Sequence, residues 1–131
     1  MTSISLRRAA LFAALFLAWP ATAAEPKPFD QASFAAAQSA GSPIVVEISA
    51  IWCPTCWAQK PIIEKLSQSP EYKDMVILTV NYDSQKDVVR ALGARSQSTL
   101  IAFRGAAETA RSVGDTDPGS VEALFKSTLA R

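Results

Sequence analysis

Ile44-Val45-Val46-Glu47-Ile48-Ser49-Ala50-Ile51-Trp52-Cys53-Pro54-Thr55-Cys56 is the stretch on which the reading of this chain turns. Residues 44–48 are β-branched and almost continuously apolar, as in a strand buried on both faces. From Pro54 to about Ser67 the positions Ile62, Ile63 and Leu66 fall on one helix face, and Pro61 places a kink inside that helix. A strand therefore feeds a helix directly through a C-x-x-C motif. Cys53 then lies at the helix N-terminus, where unpaired backbone N–H groups and the helix dipole favour a thiolate. Cys53 is the candidate nucleophile. Cys56 lies one turn inside, close enough to attack a mixed disulfide on Cys53 and release its partner. Pro54 suits the first helical position because its missing N–H costs no hydrogen bond there.

Outward from this stretch, residues 24–28 read as a short polar tail. Asp30 is an N-cap candidate, with Phe29 packing on Phe34 as a hydrophobic staple, and the Ala-rich helix behind it stops at Gly41, reinforced by Pro43. Downstream, a loop with Pro70 leads to a second buried strand, residues 75–80. Asp83 or Ser84 is expected to cap a short helix carrying Val88, Val89 and Leu92 and ending at Gly93. Residues 99–103 and 108–113 are strand-like and joined through Arg104-Gly105-Ala106 as a hairpin. A last helix starts near Asp117-Pro118 and carries Val121, Leu124, Phe125 and Leu129. This order predicts an α/β fold: a mixed central sheet with a parallel core and an antiparallel C-terminal hairpin, flanked by helices.

The chain has 131 residues, 49% of them hydrophobic, enough for one packed core. Its first segment has the layout of a secretory signal peptide. Arg7 and Arg8 form a positive region, residues 9–19 an apolar run too short to span a bilayer, Pro20 a breaker, and Ala21-Thr22-Ala23 a small-x-small cleavage pattern. The expected division is a signal peptide at 1–23, cut after Ala23 with Ala24 as the next choice, and one domain at 24–131. An uncleaved anchor and a twin-arginine route are the competing readings of the same residues. Cleavage removes Arg7 and Arg8 and turns the formal charge of +1 into about −1, with the charges interspersed. Nothing in that pattern suggests nucleic acid or a membrane surface, so membrane contact is expected only through a partner. The protein is expected to be periplasmic or otherwise exported.

An oxidising compartment allows two cysteines to be a structural bridge. Their spacing argues against it, since in the chain-entropy model so short a loop contributes only about 2 kcal/mol. The chain holds no histidine. Cys-His pairs and histidine metal sites are thereby excluded, and two cysteines cannot close a four-ligand zinc site within one chain. No metal and no cofactor beyond a redox-active Cys53–Cys56 disulfide are expected. Glu47, alone in an apolar strand, should be desolvated, with a raised pKa suited to acid/base work near neutrality. An edge position with its carboxylate in solvent is the alternative.

Over nearly all of residues 24–131 the sequence resembles the thioredoxin superfamily. The resemblance is carried by Trp52-Cys53-x-x-Cys56, by Pro61, by the stretch Gly93-Ala94-Arg95-Ser96-Gln97-Ser98-Thr99-Leu100-Ile101-Ala102-Phe103, and by Gly114. It implies a thioredoxin-like fold and a thiol–disulfide oxidoreductase. Cys53, Cys56 and Glu47 would be catalytic, with Glu47 standing where the family has a proton-relaying aspartate for the second cysteine. Trp52, Pro54, Thr55, Trp57, Gln97, Ser98 and Thr99 would contact substrate. With a signal peptide, the resemblance is to periplasmic reductases fed by a transmembrane thiol carrier, acting on disulfide-containing exported proteins.

Four positions depart from the pattern. Pro54-Thr55 replaces Gly-Pro between the cysteines and lacks the histidine of strongly oxidising relatives, which favours a reductase. Glu47 replaces aspartate. Ser98 stands at a cis-proline position, and because a cis bond before a non-proline residue costs about 2.5–4 kcal/mol, the Gln97–Ser98 bond is expected to be trans. Trp57 replaces a common lysine and makes the flank of the site more apolar, suited to a partner's hydrophobic patch, although Trp52 and Trp57 could equally shield the sulfurs or fill core. An oxidase or isomerase using the same residues, and a binding domain with an inert Cys53–Cys56 bridge, remain the other readings.

Overall fold

The computed structural model describes residues 22–129, so the segment read as a signal peptide lies outside the described residues apart from 22 and 23. In chain order the elements are β1 (Lys27–Pro28), α1 (Gln31–Ser39), β2 (Pro43–Ser49), α2 (Pro54–Ser67), a 3-10 turn at Pro70–Tyr72, β3 (Val76–Asn81), α3 (Lys86–Ala91), β4 (Thr99–Arg104), β5 (Ala107–Val113) and α4 (Pro118–Ser127). The five strands form one sheet in the order β1-β3-β2-β4-β5. β1, β3 and β2 run parallel, whereas β4 and β5 are antiparallel to their neighbours. This is the expected mixed sheet, with the closing hairpin at one side.

Side chains alternate across β2 because successive residues of a strand point to opposite faces. Ile44, Val46 and Ile48 join Phe29, Phe34 and Val89 in one core beneath α1 and α3. Val45 points the other way, into a core with Ile63, Tyr72, Leu124 and Phe125 beneath α2 and α4. Glu47 shares the face of Val45 and is thus aimed toward the helix that carries the cysteines. Full burial of each such apolar side chain is worth about 1.5–3 kcal/mol.

Local signals set the helix starts. Asp30 accepts the Ser33 N–H at 2.8 Å, and Asp117 accepts that of Ser120 at 2.7 Å, leaving Pro118 at the first helical position. The Phe29 and Phe34 rings lie 5.4 Å apart, and Phe34 meets Phe103 edge-on at 5.4 Å.

Two expectations are corrected. The N-terminal stretch is not a loose tail: Ala24 is buried and donates its N–H to the Ser67 carbonyl at 3.0 Å, and Lys27 and Pro28 pair with Leu78 and Thr79 as an edge strand. An edge tolerates a proline that cannot donate to the ladder. Nor does Asp83 or Ser84 cap α3. Asn81 Oδ1 accepts the N–H groups of both residues, at 3.0 and 3.1 Å, which holds them in a turn and moves the cap position to Gln85.

Candidate active site

β2 ends at Ser49, and the chain crosses Ala50–Trp52 to enter α2 with Cys53 as its N-cap residue. Cys53 and Cys56 form a disulfide, with Cα atoms 5.3 Å apart. Cys53 Sγ accepts the Cys56 backbone N–H at 3.1 Å, one of the donors that a helix start leaves without an intrahelical partner. Pro54 occupies the first helical position and is exposed, and Thr55 is half-buried. Pro61 lies inside the same helix, where it has no N–H for the Trp57 carbonyl one turn earlier. Both cysteines are buried, packed with Ala50 and beside Tyr82.

Trp52 and Trp57 are on the surface rather than in the core, 55% and 58% exposed, and Ile51 is 83% exposed. Both indoles are held. Trp52 Nε1 donates to Asp83 Oδ2 at 2.8 Å, with its ring edge-on to Tyr82, and Trp57 Nε1 donates to the Ile51 carbonyl at 2.8 Å. The Lys60 ammonium lies 5.5 Å from the centre of the Trp57 ring. The result is an apolar rim beside the disulfide whose aromatic side chains are fixed before any partner arrives. Asp83, read from the sequence only as a cap candidate, is the residue that fixes Trp52.

Glu47 sits in the central strand, not at an edge, and is 8% exposed. Desolvation raises its pKa, opposed by the Thr79 hydroxyl, which donates to Glu47 Oε2 at 3.2 Å, and by the charge of Lys60, while Glu64 adds to the rise. Glu47 and Cys56 line one cavity of about 420 Å³, together with Ser49, Trp57, Lys60 and Thr79. Glu47 and Cys56 thus border a common space.

On the far side of α2 the loop before β4 holds Gln97 and Ser98, and Thr99 begins the strand. Ser98 and Thr99 are buried and Gln97 is half-buried. Among the described residues every peptide bond is trans, so Gln97–Ser98 is as expected, but Ser98 has φ 54. That left-handed conformation is uncommon for a residue with a Cβ. Its carbonyl accepts the N–H of Gly114, itself at φ 68, at 2.8 Å.

The sequence reading missed Gln59. It is fully buried one turn beyond Cys56, and its Nε2 donates to the carbonyls of Ser98 at 3.2 Å and Asp115 at 2.9 Å. Among the described residues its Oε1 has no partner, and a buried acceptor left so costs about 1–3 kcal/mol. A signal was present, because Cys56, Gln59, Ile63 and Ser67 make up the buried stripe of α2.

Held at the start of α2, Cys53 and Cys56 can exchange their mutual disulfide for one with a client sulfur, the chemistry of a thiol–disulfide oxidoreductase. A family model described as Thioredoxin matches residues 25–127. A thioredoxin from Aspergillus fumigatus is 31% identical over 93 residues, covering 71% of this chain and 84% of the relative. Thioredoxin-2 of Saccharomyces cerevisiae is 30% identical over 86 residues, covering 66% and 80%. Among solved structures, Trxlp from Edwardsiella tarda superposes with a TM-score of 0.75 at 34% identity, covering 77% of this chain and 98% of that one. The chain belongs to the thioredoxin family.

Proposed function

We propose that this protein is an exported reductase that opens disulfides in extracytoplasmic proteins. The Cys53 thiolate attacks one sulfur of the client disulfide, forming a mixed disulfide and expelling the client's other sulfur as a thiolate, which takes a proton. Cys56 gives its thiol proton to the Glu47 carboxylate and attacks Cys53 Sγ. The second client thiolate leaves, and the protein is left with the Cys53–Cys56 disulfide, oxidised by two electrons. Trp52, Pro54, Thr55, Trp57 and residues 97–99 seat the client. A transmembrane thiol carrier returns the two electrons, and the cycle uses no bound cofactor.

The observation that supports the reducing direction is the setting of Cys53 Sγ. Among the described residues it receives one hydrogen bond, from the Cys56 N–H at 3.1 Å, and the chain has no histidine to add a cation. Strong disulfide oxidants owe their potential to a stabilised reduced form. A thiolate with one N–H donor and a helix dipole is held less firmly, which keeps the couple reducing. Export is supported by the layout of residues 1–23, a positive start, a short apolar run and a small-x-small end.

The test is the state of the protein in fractionated cells whose thiols are blocked at lysis. The proposal predicts a chain lacking the first 23 residues, outside the cytoplasm, with Cys53 and Cys56 mostly reduced. A mostly oxidised pair would point to an oxidase, and a full-length cytoplasmic chain would remove the exported role.

A further inference from the structure

Gln59 takes no part in the exchange steps, yet its setting is costly for a merely space-filling residue. The side chain is fully buried, and one half of its amide, Oε1, has no partner among the described residues. A methionine or leucine of similar size would fill the same space without bringing in an unsatisfied acceptor of its own. What the amide adds is a bridge. Through Nε2 it joins α2, one turn past Cys56, to the Ser98 carbonyl before β4 and to the Asp115 carbonyl after β5.

Ser98 needs such an anchor. At φ 54 it holds a conformation that persists only where the surroundings impose it. Its own hydroxyl donates to the neighbouring Gln97 carbonyl at 2.7 Å and so ties the loop to nothing beyond itself. The Ser98 carbonyl is held from two sides instead, by the Gly114 N–H and by Gln59.

We propose that Gln59 is a positioning residue for substrate binding: by tying Ser98 to the helix of the cysteines it sets where the backbone of residues 97–99 meets a protein disulfide. This rests on the reading of residues 97–99 as the seat of the client. Gln59 acts through Ser98 and touches no reacting atom.

The test compares the unsubstituted chain with Gln59→Met and Gln59→Leu. Four quantities are measured: KM and kcat for insulin with dithiothreitol as recycling reductant, the rate with the small disulfide 5,5′-dithiobis(2-nitrobenzoate), the reduction potential, and amide exchange at Gly114, Val46 and Leu78. The expected result is a rise of about tenfold in KM for insulin with kcat, the small-disulfide rate and the potential little changed. The Gly114 amide should exchange faster while Val46 and Leu78, in the central strands, exchange as before. An unchanged KM in a folded variant overturns the proposal, and so does an equal loss on insulin and on the small disulfide. If neither variant folds, Gln59 is a folding residue and the proposal fails. Failure of the unsubstituted chain to reduce insulin would count against the reductase reading instead, and the same KM comparison with reduced ribonuclease, in the oxidising direction, would then decide the role of Gln59.

Discussion

Glu47 on β2 and Thr79 on β3 stand opposite each other in parallel register, and the Thr79 hydroxyl donates to the Glu47 carboxylate at 3.2 Å. That bond and the Lys60 charge stabilise the ionised form, but burial outweighs them and the pKa is raised. Glu47 can therefore accept a proton from Cys56 only once the pH has passed a value above the ordinary carboxylate range. Release of the mixed disulfide should speed up as pH rises through that value. Glu47→Gln should flatten this limb and slow the step by about 10²-fold or more, the usual size of a general-base contribution. Single-turnover kinetics of mixed-disulfide release against pH is the check, and an unchanged profile would remove Glu47 from the mechanism.

The same burial has the opposite consequence for stability. Because the folded state binds the Glu47 proton more tightly than the unfolded chain, the favourable contribution of the protonated group is fully present below pH 4.5, the unfolded value, and is lost as pH rises through the higher folded value. Glu47→Gln should therefore be more stable than the unsubstituted chain at pH 7, with the difference shrinking toward acid. Urea denaturation at several pH values reads it; a variant less stable at pH 7 would mean that the Thr79 bond outweighs desolvation.

Cys53 precedes the helix and Cys56 lies in its first turn, so their variants should behave differently. Cys56→Ala should accumulate a covalent complex with protein disulfides that dithiothreitol releases, whereas Cys53→Ala should accumulate none. Non-reducing electrophoresis distinguishes the two, and complexes formed equally through Cys56 would reverse the assignment of nucleophile.

Tyr72 is 1% exposed, its ring edge-on to Phe125 at 5.5 Å, and its hydroxyl has no partner among the described residues. Tyr72→Phe removes that unsatisfied group and should raise stability by about 1 kcal/mol. Burial first, then the charges of Glu71 and Glu122, push the phenol pKa up to about 12 from 10.0. Its contribution is thus present below pH 10.0 and lost as pH climbs toward about 12. The phenylalanine variant should lose that alkaline limb. Thermal unfolding between neutral and alkaline pH measures both effects.

The parts of this molecule legible in the sequence are those whose cause is local. Residues 44–48 read as a central strand because β-branched residues leave no polar face, and Asp30, Pro54 and Asp117 mark helix starts by chemistry confined to one turn. β1 escaped notice because two residues carry no periodicity and their pairing with Leu78 and Thr79 is made across the fold. The Asn81 side chain, two and three residues before the expected caps, took over the turn ahead of α3. Trp57 could have been placed outside: it falls off the stripe of Cys56, Gln59 and Ile63. Gln59 lies on that stripe, and its polarity hid it, since its carbonyl partners are brought to it by the hairpin and the loop beyond.

The reduction potential of the Cys53–Cys56 couple tests the reducing role most directly. The account predicts a value near that of thioredoxin, about −270 mV, in a chain that has no histidine and whose Cys53 Sγ accepts one N–H among the described residues. A value near about −120 mV, the range of strong disulfide oxidants, would contradict it.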